Sequence, residues 1–117
     1  MNRYYYDLHI HSCLSPCGDE DNTPNNLLGM ASISGIDILA LTDHNTAAGL
    51  PEFMEAAREF GVTAVPGVEL STDYQGKELH LLGLFVMPEH YGPIEKMVKE
   101  QISLAVKGQM AAMPVEM

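Results

Sequence analysis

Ile36-Asp37-Ile38-Leu39-Ala40-Leu41-Thr42-Asp43-His44 is a short, nearly continuous apolar run that ends in an acid and a histidine. Such a run, too short for a helix of ordinary length, has the pattern of a strand covered on both faces. On its N-terminal side, Thr23-Pro24 reads as a helix cap followed by proline at the first helical position. Leu27, Leu28, Met30, Ala31 and Ile33 then recur at helical spacing until Gly35. Further back, residues 4–11 alternate and predict the first strand. On the C-terminal side Pro51 opens a second helix, with Phe53, Met54, Ala56, Ala57 and Phe60 as its buried face and Gly61 as its stop. Residues 62–65 predict a third strand, leading through a Pro66-Gly67 turn to Glu69. Strand, helix, strand, helix, strand is the signature of parallel βαβ units with right-handed crossovers. In such α/β folds sites gather at the carboxyl ends of the strands.

The remainder is less regular. Residues 12–22, rich in Ser, Pro, Gly and Asp, form a loop. Residues 69–72, the turn Asp73-Tyr74-Gln75-Gly76 and residues 77–85 read as a hairpin with His80 in its return strand. Gly92-Pro93 begins a third helix with Ile94, Met97, Val98, Ile102, Ala105 and Val106 on one side, ending near Gly108. Residues 1–108 are therefore expected to form one domain, with residues 109–117 a frayed tail.

A chain of 117 residues makes one domain with a moderate core. Its apolar content of 46% is ordinary, and no apolar run approaches the length of a membrane span. The N-terminus lacks the apolar stretch of a secretory signal, which points to the cytoplasm. Six basic against sixteen acidic residues give a net charge of −10, opposed to the phosphate attraction on which nucleic-acid binders depend. Stable nucleic-acid binding is not expected. Part of the acidity is instead of the kind that bound cations neutralise. Cys13 and Cys17 are expected as free thiols in a reducing compartment, with a metal role open to Cys17.

The chemistry rests on Asp7-Leu8-His9-Ile10-His11-Ser12. Successive side chains of a strand alternate, so Asp7, His9 and His11 share a face and two imidazoles converge. That suits a divalent metal, with a carboxylate such as Glu69 bridging to a second ion. His9, His11, Asp43, His44 and Glu69 all fall at strand ends. His44 either binds a further cation or donates to a substrate phosphate, and Asp43 either ligates or orients a histidine. Asp7 either supports the histidines or pairs with a neighbouring cation. His80 is open to two readings, a ligand or a buried packing residue, because Leu79, Leu81 and Leu82 flank it. His90 reads as a surface residue. Cations held by imidazoles and carboxylates polarise phosphoryl oxygens and acidify a bound water, which suits phosphoester hydrolysis. No Gly-x-Ser-x-Gly elbow, P-loop or Gly-x-Gly-x-x-Gly is present.

Asp7-Leu8-His9-Ile10-His11-Ser12, Thr42-Asp43-His44-Asn45, Gly67-Val68-Glu69-Leu70-Ser71 and His80-Leu81-Leu82-Gly83-Leu84 together resemble the PHP (polymerase and histidinol phosphatase) family, over residues 4–87. The resemblance implies an α/β fold, a distorted (βα)7 barrel of which this chain carries about half. It also implies a cluster of two or three zinc, manganese or iron ions and a phosphoesterase acting on a small phosphomonoester or nucleotide-like ester. By position, His9, His11 and Glu69 look like ligands of a first metal, Glu69 and His80 of a second, and His44 of a third. Glu69, Asp43 and His44 are the residues expected to act in catalysis. The third metal's remaining early ligand falls on either Cys17 or Asp19. The alternative is a non-catalytic metal-binding or interaction fragment. A third possibility, a polymerase accessory domain, is distant because no polymerase segment is attached. An open half barrel leaves sheet edges that pair with another chain, so a homo-oligomer is expected.

Overall fold

The computed structural model describes residues 3–15, 18–106 and 113–114. Strand β1 (Tyr6–Ile10) is followed by helix α1 (Pro24–Ser34), strand β2 (Ile38–Leu41), helix α2 (Leu50–Phe60), the long strand β3 (Thr63–Tyr74), strand β4 (Lys77–Leu84), a single 3-10 turn at Pro88–His90 and helix α3 (Tyr91–Val106). A two-residue strand, β5 (Met113–Pro114), lies parallel beside β3. The strands form a curled half-barrel sheet of order β1-β2-β3-β4. β1 and β2 pair in parallel, as do β2 and the first part of β3, whereas β3 and β4 are antiparallel.

The two crossover helices form for local reasons. The Thr23 hydroxyl accepts the Asn26 N–H at 3.1 Å, and Pro24 occupies a first-turn position that has no N–H to lose. Gly35 and Gly61 end α1 and α2 in the left-handed conformation, at φ 78° and 68°, where a Cβ would be strained. α1 and α2 pack on each other and on the parallel strands. The core between them holds Leu28, Leu39, Leu41, Leu50, Phe53, Ala56 and Val62. Burying each large apolar side chain contributes about 1.5–3 kcal/mol. Met30 and Ile33, which recur at helical spacing with Leu28 and Ala31, are exposed. At 3.6 residues per turn Met30 stands roughly 200° around the helix from Leu28, and only the Leu28 and Ala31 side of α1 meets α2 and the sheet.

A second correction is decisive for the site. Pro66-Gly67 is no turn: β3 runs through it without a break. Leu41 and Pro66 form the last pair with β2, and Gly67 and Leu84 the first pair with β4. Proline is tolerated because the ladder changes partner there, while its carbonyl still accepts the Val86 N–H at 2.9 Å. Glycine is required because a Cβ at Gly67 would stand 2.8 Å from the Gly83 carbonyl oxygen and 2.9 Å from Thr42 Cγ2. Glu69 thus projects from a continuous strand, two residues past the exchange.

The hairpin turn is tighter than expected, only Gln75-Gly76, both at positive φ. Primed turns of this kind match the twist of antiparallel strands. The flanks of His80 also differ from the buried reading, since Leu79, Leu81 and Leu82 are each more than 40% exposed. Met97, on the apolar side of α3, is exposed too. α3 is described through Val106; the expected stop at Gly108 and most of the expected tail lie outside the described residues. Among the described residues no helix is long and apolar enough to cross a membrane.

Candidate metal centre

Four histidines converge on one carboxylate. β1 delivers His9 and, one residue past its end, His11; the β2–α2 loop delivers His44, β3 delivers Glu69 and β4 delivers His80. His9 Nε2 and His11 Nε2 lie 2.7 and 2.8 Å from Glu69 Oε1, and His80 Nδ1 lies 2.9 Å from Oε2. His44 Nε2 stands at 3.6 Å from Oε1. The rings follow one another in an arc, with centroids 5.2 Å apart from His9 to His11, 4.4 Å from His11 to His44 and 5.3 Å from His44 to His80. Glu69 is buried beneath them, while His9 and His80 are half exposed. The cluster is therefore open on one side and anchored on a buried acid.

Burial alone would push the Glu69 carboxyl up, but hydrogen bonds from His9, His11 and His80 and the nearby charge of His44 outweigh it and hold the pKa at about 2. His80 is raised, first by its hydrogen bond to Glu78 and then by the one to Glu69. A carboxylate that stays ionised among imidazoles is a donor set for cations. His9, His11 and Glu69 form one group, and His44, Glu69 and His80 a second, with the donor atoms of each group within 4.8 Å of one another. Nitrogen and oxygen donors in these numbers fit divalent transition metals, and Glu69, shared by the two groups, turns Oε1 to His9 and His11 and Oε2 to His80.

Asp43 sits behind the cluster, fully buried. Its Oδ1 accepts the Ser12 N–H at 2.6 Å and the Ser15 hydroxyl at 3.1 Å, and its Oδ2 accepts the Ser12 hydroxyl at 2.6 Å. The Ser15 hydroxyl oxygen in turn accepts the His44 N–H at 2.7 Å. Asp43 thus ties the loop after His11 to the segment carrying His44. The other expected residues fall outside the cluster. Asp7 accepts the backbone N–H of His9, and Asp19 is exposed and accepts the Asp21 N–H within its own loop. His90 is exposed, as expected. Cys17 lies outside the described residues, and Cys13 is a free thiol.

Several contributors carry no motif of their own. Ser12 and Ser15 are visible only as polar residues in a loop, although Ser12 directly follows His11. Asn45 adopts φ 56°; its N–H donates to the Glu69 carbonyl and its Oδ1 accepts the Ser71 N–H, which locks the His44 segment onto β3. Glu95 on α3 accepts hydrogen bonds from the Thr46 hydroxyl and the Ala47 N–H, a link across 49 residues of sequence that no local pattern announces.

The PHP domain model matches residues 7–100, most of the chain and all five clustered residues. The chain belongs to the PHP family. It is 43% identical over 79 residues to a 5′-3′ exoribonuclease of Haemophilus influenzae, covering 68% of this chain and 28% of that protein. Over 82 residues it is 40% identical to a phosphoribosyl 1,2-cyclic phosphate 1,2-diphosphodiesterase of Eggerthella lenta, covering 68% of this chain and 30% of that protein. A crystal structure from Bifidobacterium adolescentis, assigned as a metal-dependent phosphoesterase, matches 91% of this chain with a TM-score of 0.74 at 26% identity. That match takes in 36% of the other chain, so this chain spans about a third of each of these PHP proteins.

Proposed function

We propose that this chain acts as, or forms the N-terminal part of, a cytoplasmic PHP phosphoesterase that hydrolyses a small phosphomonoester or nucleotide-like phosphoester. One observation carries the reading: Glu69 offers one oxygen to His9 and His11 and the other to His80, the placement of a carboxylate shared between two cations. His9, His11 and Glu69 would hold one ion, and His44, Glu69 and His80 a second. Zinc, manganese and iron all suit these donors. Bound divalent cations supply Lewis acidity toward phosphoryl oxygens and acidify water.

The chain's own residues do the rest. Glu69, ionised down to about pH 2, keeps its charge at any working pH. Asp43 orients rather than ligates, because both its oxygens are committed to Ser12 and Ser15. The exposed side of the cluster would admit an anionic ester. In this reading the chain supplies part of a (βα)7 barrel. The exposed β4 edge supports self-association.

Elemental analysis of protein purified without chelator, paired with hydrolysis of a small phosphomonoester, tests the proposal. Copurifying metal is expected, together with turnover that requires a divalent ion and collapses in Glu69→Gln. Turnover that survives exhaustive chelation would refute the mechanism. Metal binding without turnover would favour a non-catalytic metal-binding fragment.

A further inference from the structure

Helix α3 reaches the His44 segment through one side chain. Tyr91 and Ile94 pack against the apolar core and seat the first turns of the helix, which leaves the adjacent Glu95 facing the β2–α2 loop. There a single carboxylate oxygen, Oε1, accepts hydrogen bonds from the Thr46 hydroxyl, at 2.9 Å, and from the Ala47 N–H. Thr46 and Ala47 stand two and three residues after His44. Among the described residues no other side-chain hydrogen bond or ion pair joins α3 to the rest of the chain. Past Glu95 the helix stands off, with an open cavity of about 560 Å³ bounded by Asn45 and by Glu95, Lys96, Val98 and Lys99 of α3. Ala47 is buried, so withdrawing the carboxylate would leave its N–H without an acceptor or water, a cost that the loop escapes only by shifting.

The His44 segment is gripped at both ends. On its near side the Asp43 carbonyl accepts the Glu69 N–H at 2.9 Å, the His44 N–H donates to Ser15 at 2.7 Å and the Asn45 N–H donates to the Glu69 carbonyl at 2.8 Å. On its far side Glu95 makes the polar contact. Asn45 lies between, at φ 56°, a left-handed conformation that contacts on both sides keep in place. The two donor groups depend on this segment unequally. His9, His11 and Glu69 come from β1, its end and β3, whereas His44 is the one member of the second group that the loop delivers. Ligands must be held to within about 0.5 Å, so a shifted loop would disturb the second group and spare the first.

From this asymmetry we infer that Glu95, which belongs to neither donor group, is a positioning residue: it fixes His44 and so sets the affinity of the cation position formed by His44, Glu69 and His80. The inference rests on reading the cluster as the metal centre of a phosphoesterase, and its test separates the two. Zinc chloride titrated calorimetrically into the chelator-treated full chain should show two binding events. Glu95→Ala should weaken one of them about tenfold or more and leave the other within about twofold. Glu95→Gln, whose amide oxygen accepts the same two hydrogen bonds, should stay within about threefold of the unmodified chain at both. In a His80→Ala background, which lacks the second group, Glu95→Ala should have no further effect. Histidine ring resonances of the metal-free chain give a reading that needs no ion: the His44 signal should shift or broaden in Glu95→Ala while the His9 signal stays. Equal weakening of both events, or an unmoved His44 signal, overturns the inference. If Glu95→Ala does not fold, Thr46→Ala removes only the hydroxyl bond and must show the same selective change at smaller size. Selective loss in a chain without phosphomonoester turnover would keep the positioning role and reject the phosphoesterase. Turnover by the unmodified chain, with zinc binding unchanged in Glu95→Ala, would do the reverse.

Discussion

The two halves of this chain are built differently. In the parallel half, β2 is buried at three of its four positions beneath α1 and α2, and Phe53, Leu28, Leu41 and Leu50 are almost wholly removed from water. In the antiparallel half, β4 is exposed at its first six positions, with Leu79, Leu81 and Leu82 in contact with solvent. The packed half presents His9, His11 and His44, and the open half presents His80. Glu69 stands at the boundary, on the strand that belongs to both. A packed wall and an open wall thus share one buried acid.

The contrast predicts its own sharpest test. Phe53→Ala should cost about 3–5 kcal/mol of stability, because it leaves a cavity in a closed core. Leu81→Ala, at a 43% exposed position, should cost under about 1 kcal/mol. Urea denaturation of the two variants measures both, and comparable losses would show that β4 is covered by another surface in solution.

Asp43→Asn tests whether the packed half positions the site. It removes charge from a buried acceptor of three hydrogen bonds, so about 1–3 kcal/mol of stability should go. Metal affinity should also fall about 10–100-fold although no ligand is touched, as for other residues that orient ligands. Metal titration of a folded variant decides it, and an unchanged affinity would confine Asp43 to holding the loop.

The smallest effect separates Glu69 from His80 in the metal-free protein. Glu69 has its pKa lowered from 4.5 to about 2, so its contribution to folding is complete above about pH 4.5 and is lost as the pH falls toward 2. His80 is raised above 6.5, so its contribution is present below pH 6.5 and is lost as the pH rises through the folded value. Thermal melts of chelated protein should therefore show greatest stability between about pH 4.5 and 6.5. Since His80 is largely solvated, the loss on its side should be the shallower one. A melting temperature that is flat from pH 2 to 5 would contradict the role given to Glu69.

What the sequence determined by itself was local. Alternation in β1, the Thr23-Pro24 cap, the terminal glycines of α1 and α2 and the apolar run of β2 depend on neighbours within a few residues, and each is legible without the fold. The histidines were legible for the same reason, since period-two spacing aims His9 and His11 together wherever the strand lies. Tertiary structure decided whatever depended on distant partners. Pro66-Gly67 has the composition of a turn, and only the exchange of β2 for β4 makes it part of a strand. The leucines around His80 have the composition of a core, and only the absence of a covering layer among the described residues leaves them exposed. Asp43 bears the chemistry of a ligand, and only the fold of the preceding loop commits its oxygens to Ser12 and Ser15. Burial and hydrogen-bond partnership are properties of pairs far apart in the chain, so no reading of either partner alone contains them.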